Sequence, residues 1–244
     1  MESVSLILAL ETATLEGSVC LTRGDRILAA RLGDPAISHS NTLLKDLDEI
    51  LEECQVSLPQ VELFACASGP GSFTGLRIGI ATVKALAATL GRPCLGISTL
   101  YAIAHAAGPS KATVALLPAG RAEVFVQLLS VSPDGTIAAL DAASHLSPRS
   151  MLDKYSEFRN LKWAGPGAQA QQEIIKDFAA ERLIPFGDGA VAEGWRLSTP
   201  EANLASHVAA LAARKLQAGQ TLSPHSLSAN YVRPSDPELK RQCP

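Results

Sequence analysis

Residues 63–90 read LFACASGPGSFTGLRIGIATVKALAATL and contain the strongest structural signal in the chain. The first six residues form an apolar run with the length of a buried strand, which ends at Gly69. A helical pattern then extends over residues 74–90 and stops at Gly91. A buried strand, a glycine-rich turn and a helix in direct succession predict an α/β protein.

Further strands and helices are predicted on both sides of this stretch. The first half predicts a three-stranded meander and a helix, and the second half predicts further strands and helices. We therefore expect two similar lobes, at residues 1–103 and 104–232, followed by a flexible tail at 233–244; whether the last helix packs back on the first lobe is left open. The predicted strands cover residues 5–10, 18–22, 26–32, 63–68, 94–98, 112–117, 123–129, 136–140 and 161–164, and the helices residues 43–54, 74–90, 99–107, 147–155, 168–177 and 201–217.

Composition excludes several classes of protein. The 244 residues are 47% hydrophobic and 18% charged, which excludes disordered, collagen-like and coiled-coil chains. The net charge is −3 and no basic run exceeds two residues, so the chain is not expected to bind nucleic acid by itself. Five cysteines without a metal-binding spacing, together with no signal peptide and no apolar stretch of about 18 uncharged residues, predict a cytoplasmic protein without a membrane span.

The glycine-rich turn has two interpretations. Gly69, Gly71 and Gly75 lie between a strand and a helix, where phosphate-binding loops occur. However, their spacing is GxGxxxG, and neither the P-loop nor the dinucleotide-binding pattern is present. The alternative is a tight turn whose glycines allow the helix to approach the sheet closely.

The helix predicted at 74–90 is apolar on both faces. One stripe begins at Leu76 and Ile80 and is expected to face the sheet. The opposite face is small and smooth, and Arg77 and Lys84 are the charged residues, on one flank. A helix without a polar face is buried on both faces, so either another part of this chain or a protein partner is expected to cover it. The residues of the outer face are Thr74, Ile78, Ala81, Ala85, Ala88 and Thr89.

Groups capable of catalysis are scarce. Glu11 ends the first strand, and His39 is followed by Leu43 where a second metal-binding histidine of a helix would stand. The metallopeptidase pattern HExxH and the hydrolase pattern GxSxG are absent. The sequence therefore predicts no catalytic, cofactor-binding or metal-binding residue.

Five motifs, taken together, resemble the TsaB family. They span nearly the whole chain, and the glycine-containing motif is the most specific of them. The motifs are LALETAT (8–14), HSxxLL (39–44), GPGSFTGLRIG (69–79), GISTL (96–100) and YVR (231–233).

This resemblance implies two RNase-H-like lobes of the actin, sugar-kinase and Hsp70 (ASKHA) type, with mixed sheets flanked by helices. It implies a dimerization subunit that is not itself the catalyst of N6-threonylcarbamoyladenosine formation on tRNA, next to the anticodon. The related catalytic subunit, TsaD, holds a metal through an HxxxH pair, of which this chain has only His39. The implied partners are a TsaD-like subunit, a second copy of the chain in its absence, and a TsaE-like ATPase in the larger complex, with tRNA reached only through the complex.

The family's partner surface consists of the two helices of the N-terminal lobe. Placed on this chain, it uses the outer face described above and extends to Leu44 and Leu51 of the first helix. The expected interface residues are Leu44, Leu51, Thr74, Arg77, Ile78, Ala81, Lys84, Ala85 and Ala88, and the motif loop comprises Gly69, Pro70, Gly71, Ser72, Phe73, Thr74 and Gly75.

The chain departs from the family pattern at three positions. Glu11 replaces the usual Asp, which weakens any case for nucleotide binding, and Pro118 and Gly120 replace an Asp and an Arg. Any contacts that those two residues make in relatives are expected to be absent here.

The sequence leaves three functions open. A non-catalytic scaffold is the leading hypothesis, and an independent ATP-dependent phosphotransferase of the ASKHA fold is the main alternative. A metallopeptidase is the third.

Overall fold

A computed structural model describes residues 5–37, 39–187, 193–199, 201 and 203–232, apart from the side chains of residues 39 and 40. The chain forms two compact units. The first comprises Met1–Ala102 and Ala202–Asn230, and the second comprises Ile103–Glu201 and Tyr231–Pro244.

The first unit is built on a five-stranded sheet. Its strands are β1 (Leu6–Glu11), β2 (Ser18–Arg23), β3 (Arg26–Leu32), β4 (Leu63–Gly69) and β5 (Cys94–Ser98). Their order is β3-β2-β1-β4-β5, in which the first three strands are antiparallel and β4 and β5 run parallel to β1. Every residue of β1 and β4 is buried, as expected of strands covered on both faces.

Helices cover this sheet. They are α1 (His39–Glu53), α2 (Phe73–Leu90) and α3 (Thr99–Ala106), together with a short 3-10 helix, Leu58–Gln60. α1 packs against β2 and β3, and α2 packs against β4, β5 and β1. The boundary between the units lies within α3.

The second unit repeats the strand order of the first. Its strands are β6 (Ser110–Gly120), β7 (Glu123–Val131), β8 (Ile137–Ala139), β9 (Ser144–Leu146), β10 (Leu161–Ala164) and β11 (Trp195–Leu197). The order is β11-β10-β6-β7-β8, with β9 paired to β7. As in the first sheet, an antiparallel meander is followed by two parallel strands, so the α/β class is confirmed.

An aromatic core fills the second unit. Trp163 and Trp195 are fully buried with ring centroids 4.9 Å apart, and Phe178 stacks on Trp195 at 6.0 Å. The helices around this core are α4 (Pro148–Tyr155), α5 (Pro166–Ala170) and α6 (Gln172–Glu181). A helix was predicted at 168–177, and the structure divides that region between α5 and α6.

The last helix, α7 (Leu204–Gln217), packs on the sheet of the first unit, against β1, β2 and β4. The predicted start of this helix at residue 201 is wrong. Asn203 caps α7 instead, because its side chain accepts a hydrogen bond from the Ser206 amide at 3.0 Å. Residues 203–230 therefore belong with the first unit, which is the alternative that the sequence left open for the last helix.

A C-terminal strap, residues 222–230, follows α7 along the edge of β5. Leu222 exchanges two backbone hydrogen bonds with Cys94, at 2.9 and 3.0 Å. Leu227 is buried, and the amide of Asn230 donates to the carbonyl oxygen of Ser68. The strap contains a second 3-10 helix, Pro224–Ser226, which packs on α2. The predicted flexible tail, 233–244, lies outside the described residues.

The turn between β6 and β7 has an unfavourable conformation for its sequence. Gly120 pairs with Glu123, so Arg121 and Ala122 form a two-residue loop, with φ values of 51° and 58°. Left-handed backbone at both positions defines the turn type that favours Asn and Gly. An alanine in this region clashes with its own backbone, which costs about 1 kcal/mol.

We predict that Ala122→Gly raises the free energy of unfolding by about 0.5–1 kcal/mol, because glycine adopts this conformation without the clash. Ala119→Gly, three residues earlier within β6, is the matched control and is expected to lower the free energy of unfolding by a similar amount. Urea denaturation measures both. A destabilising effect of Ala122→Gly would contradict the strained-turn account.

Candidate functional site

The glycine loop holds the start of α2 against the turn that follows β1. A Cβ atom on Gly75 would collide with the Thr12 carbonyl oxygen, and one on Gly71 would lie 2.7 Å from that of Ala13. A side chain on Gly79 would likewise collide with the Thr12 hydroxyl. The glycines therefore allow a close approach between helix and turn, which is the second of the two interpretations of this loop.

Hydrogen bonds also hold the start of α2 against the turn that follows β1. The Thr12 hydroxyl donates to the Gly75 carbonyl oxygen at 2.8 Å, and the Ser72 amide donates to the Ala13 carbonyl oxygen at 2.8 Å. The Ser72 hydroxyl accepts a hydrogen bond from the Gly75 amide and so caps α2. Phe73 is half-buried under the Arg77 guanidinium, which lies 3.8 Å from its ring centroid.

The carboxylate of Glu11 is used inside its own turn. Glu11 is 1% exposed, and its Oε1 accepts hydrogen bonds from the amides of Ala13 and Thr14, at 2.5 and 2.7 Å. Its Oε2 accepts from the Thr14 hydroxyl at 2.6 Å. Because both oxygens bind the following residues, Glu11 acts as a turn-stabilising group. The described residues give no support to the phosphotransferase alternative.

Positions 39 and 43 have the helical spacing of a metal-binding pair, and the structure describes the side chain at position 43. Leu43 is buried, and the side chain of His39 lies outside the described residues. No cluster of three His, Cys, Asp or Glu side chains that could hold a metal ion occurs in the part of the chain that the structure describes.

The outer face of α2 is open in the described structure. Thr74, Arg77, Ala81, Ala85 and Ala88 are exposed, whereas the opposite stripe is buried. Ile78 is half-buried on the outer face. No part of the described chain covers this face, so the alternative in which the same chain covers it is not supported.

Two predicted interface residues have other roles. Leu51 is only 7% exposed, so its placement on the outer surface is wrong. The half-buried Lys84 donates from Nζ to the Leu227 carbonyl oxygen at 3.1 Å, which ties α2 to the C-terminal strap.

Leu51 lies in the last turn of α1, on the buried stripe that it shares with Leu43, Leu47 and Ile50. Gln55 has a φ of 53°, and the amide of Val56 donates to the Leu51 carbonyl oxygen at 2.9 Å. The Gln55 amide also donates to the Glu52 carbonyl oxygen at 3.0 Å, and the two bonds form a Schellman motif. Apolar side chains at the positions of Leu51 and Val56 commonly contact one another in such a motif. The sequence does not contain the glycine that usually marks such an ending.

Leu44 remains on the surface, with 64% of its area exposed. The acidic face of α1 is connected to β3, since Arg31 forms ion pairs with Glu49 and Glu53, both at 2.9 Å. α1 and α2 are in contact, so Leu44 and the outer face of α2 belong to neighbouring helices.

α2 is also the one helix in the described ranges that is long and apolar enough to cross a membrane. A third of its length is buried within the protein. Its glycines and its Lys84 contact hold it on the first unit.

Comparisons with known proteins agree with one another. The family model described as TsaD, tRNA N6-adenosine threonylcarbamoyltransferase, matches residues 35–218. The chain is 28% identical to the tRNA threonylcarbamoyladenosine biosynthesis protein TsaB of Escherichia coli over 77% of this chain and 88% of that protein. It is 39% identical to the protein of the same name from Haemophilus influenzae, over 44% of each chain.

A solved structure matches the fold. A crystal structure of a Pseudomonas aeruginosa protein, described as uncharacterised and similar to peptidase YEAZ, aligns with a TM-score of 0.75. It shares 26% sequence identity, and the match covers 94% of this chain and all of the other. The two-lobed ASKHA-type α/β fold is therefore confirmed.

We predict that Gly75→Ala lowers the free energy of unfolding by about 2–3 kcal/mol, because the added methyl group collides with backbone atoms of Thr12 that cannot move independently. Thr74→Ala, at the exposed neighbouring position, is the control and is expected to change stability by less than about 0.5 kcal/mol. Equal stability of the two variants in thermal or urea denaturation would show that the contact is not tight.

We also predict that ATP with Mg²⁺ does not bind the isolated chain tightly, because Glu11 and the glycine loop are occupied by contacts within the protein. Isothermal titration calorimetry tests this directly. Saturable binding with a dissociation constant in the micromolar range, about −8 kcal/mol, would favour the phosphotransferase alternative.

Proposed function

Because the chain belongs to the TsaD family, and within it to the TsaB proteins, we infer that it acts in the synthesis of threonylcarbamoyladenosine on tRNA. We propose that it does so as a scaffold that binds and organises a TsaD-like catalytic subunit through α1 and α2. The observation that carries this proposal is the open, small-residue outer face of α2.

The shape of this face favours another helix as its partner. Ala81, Ala85 and Ala88 are separated by four and three residues, so they lie along one side of α2. Small side chains allow two helix axes to approach to about 8 Å, the short end of the range for packed helices. Leu44 adds an apolar contact on the neighbouring helix.

The composition of the face supports burial against protein. An apolar surface in contact with water raises the free energy of the chain. Docking of another protein surface removes this face from water and lowers that free energy. Arg77 is exposed at its edge, where a charged side chain can remain solvated after docking. In the absence of the catalytic subunit, a second copy of the chain offers the same apolar face, and we propose that the chain then forms a homodimer.

The same observations support a non-catalytic role. Glu11 is held in its own turn, and Leu43 occupies the position that a second histidine of an HxxxH pair would need. We propose that the metal and the transfer chemistry belong to the TsaD-like subunit, that a TsaE-like ATPase joins the larger complex, and that tRNA is bound only by the complex. A net charge of −3 agrees with the last point. The proposed location is the cytoplasm, where tRNA is modified.

We predict that Ala81→Arg and Ala85→Arg each weaken binding to the TsaD-like subunit of the same genome at least tenfold. A long charged side chain at either position separates the helices and leaves a charge buried without a partner, which costs about 2 kcal/mol or more. Calorimetric titration measures the binding, and a tRNA modification assay with and without the variant measures the consequence.

Ala180→Arg, on an exposed position of α6 in the second unit, is the matched control and is expected to leave both measurements unchanged. Circular dichroism checks that all three variants remain folded. Undiminished binding by Ala81→Arg and Ala85→Arg would exclude this face as the interface, and full tRNA modification in the absence of the chain would exclude the scaffold role.

A further inference from the structure

One edge of the outer face of α2 is lined by two cations, Arg77 and Lys84. Seven positions separate them, which is nearly two helical turns, so they lie on the same side of α2, about 10 Å apart along its axis. Ala81 is a neighbour of both on the helix surface, being four positions after Arg77 and three before Lys84. We call Arg77 and Lys84 the cationic edge, because they border the alanines of the outer face.

Arg77 is held in place by Phe73. The guanidinium carbon of this exposed arginine lies 3.8 Å from the centroid of the Phe73 ring. Contact with an aromatic ring engages the face of a guanidinium, whereas its N–H donors point outward in the plane of the group. The donors of Arg77 are therefore available to an acceptor outside the first unit.

Lys84 is held in place by the C-terminal strap. Its Nζ donates to the Leu227 carbonyl oxygen at 3.1 Å. Leu227 is itself buried, and its Cδ1 lies so close to Gly96 that a Cβ atom there would come within 2.9 Å of it. The strap thus fixes the ammonium group at the edge of α2. An ammonium group has more than one N–H donor, so Lys84 can bind a second acceptor while it holds the strap.

No carboxylate of the described chain forms an ion pair with the cationic edge. Other cations do form such pairs, since Arg31 lies 2.9 Å from Glu49 and Lys154 lies 2.7 Å from Asp141. Residues 63–122 contain no Asp or Glu, and neither does the strap, although the whole chain has 24 acidic residues. The segments that form the edge therefore leave its positive charge without a counter-charge.

We propose that the cationic edge pairs with carboxylates of the TsaD-like subunit. The matching partner is a helix that places small apolar residues on the alanines of α2 and carries Asp or Glu side chains about 10 Å apart along one flank. The ion pairs lie at the rim of the contact, where they keep part of their hydration and contribute to partner choice and to the association rate. This inference rests on the proposed function and names the chemistry by which α2 selects its partner.

The surroundings of the edge favour a protein partner over tRNA. Binding to a phosphate backbone relies on many cations and hydrogen-bond donors spread over the contact. Here two cations border Ala81, Ala85 and Ala88, whose side chains offer no donor to a phosphate. A small apolar strip with charges along its edge has the arrangement of a protein interface, in which an apolar centre is surrounded by a polar rim.

Arg77→Gln combined with Lys84→Gln tests the proposal by removing both charges. Surface plasmon resonance measures the association of the full chain with the TsaD-like subunit at about 0.1 M and about 1 M salt, where the Debye length is about 10 Å and about 3 Å. We expect the double variant to lower the association rate constant about three- to tenfold at the lower salt concentration. At the higher concentration the difference from the unmodified chain is expected to fall below about twofold, because salt screens the charges.

Two controls separate charge from structure. Arg159→Gln combined with Lys111→Gln removes the same charges from exposed positions of the second unit and is expected to change the rate constant by less than about twofold. Arg77→Lys keeps the charge but not the planar group, and it is expected to retain most of the association rate. Urea denaturation checks that the variants remain folded.

The outcomes distinguish this inference from the proposed function. Equal rates for Arg77→Gln with Lys84→Gln and for its control, while Ala85→Arg prevents binding, would overturn the cationic edge and leave the scaffold function standing. Undiminished binding by Ala85→Arg as well would reject the docking face on which both depend.

Two further results would assign the cations to another occupant and so overturn the proposal. One is normal binding of the double variant to the TsaD-like subunit together with weakened tRNA binding by the complex. The other is a loss of self-association of the chain with no change in binding to the TsaD-like subunit, since the carboxylates would then belong to a second copy.

Discussion

The close contact between α2 and the turn at Thr12 determines how the first unit presents its surface. Gly75 and Gly79 allow the inner side of the helix to lie directly on this turn, and the buried stripe that follows them packs on the sheet. Lys84 ties one flank to the strap through the Leu227 carbonyl oxygen. The inner side and one flank of α2 are thus occupied. Its outer face is left open, although its residues are too apolar for a face that remains in water.

Several polar groups of the first unit are bound by other groups of the same unit. Glu11 closes its own turn, Thr12 and Ser72 hold the start of α2, and Arg31 connects β3 to α1. A site for phosphoryl transfer or metal binding needs such groups to face a substrate. Their internal use agrees with the binding role that we propose for this chain of the TsaD family.

Much of the fold could be predicted from local patterns. The register of α2, its exposed and buried faces and the first three strands follow from periodicity and from glycine positions. The start of α7 could not, because the sequence carries a helix-start signal, Thr199-Pro200, four residues before Asn203, which caps the helix. The Schellman motif at Gln55 has no glycine to mark it. The strap and the short strands β9 and β11 depend on long-range pairing, as between Leu222 and Cys94, and a single sequence does not record such contacts. For the candidate site, the outer face of α2 could be predicted, but the engagement of Lys84 by the strap could not.

Hydroxyl-radical footprinting of the free chain and of its complex with the TsaD-like subunit tests the central claim most directly. Leu44 and Ile78 report on the proposed interface, and Leu183, which is 89% exposed in the second unit, is the internal reference. The account predicts that the complex protects Leu44 and Ile78 and leaves Leu183 unchanged. A stable complex in which the reactivity of Leu44 and Ile78 is the same as in the free chain would contradict it.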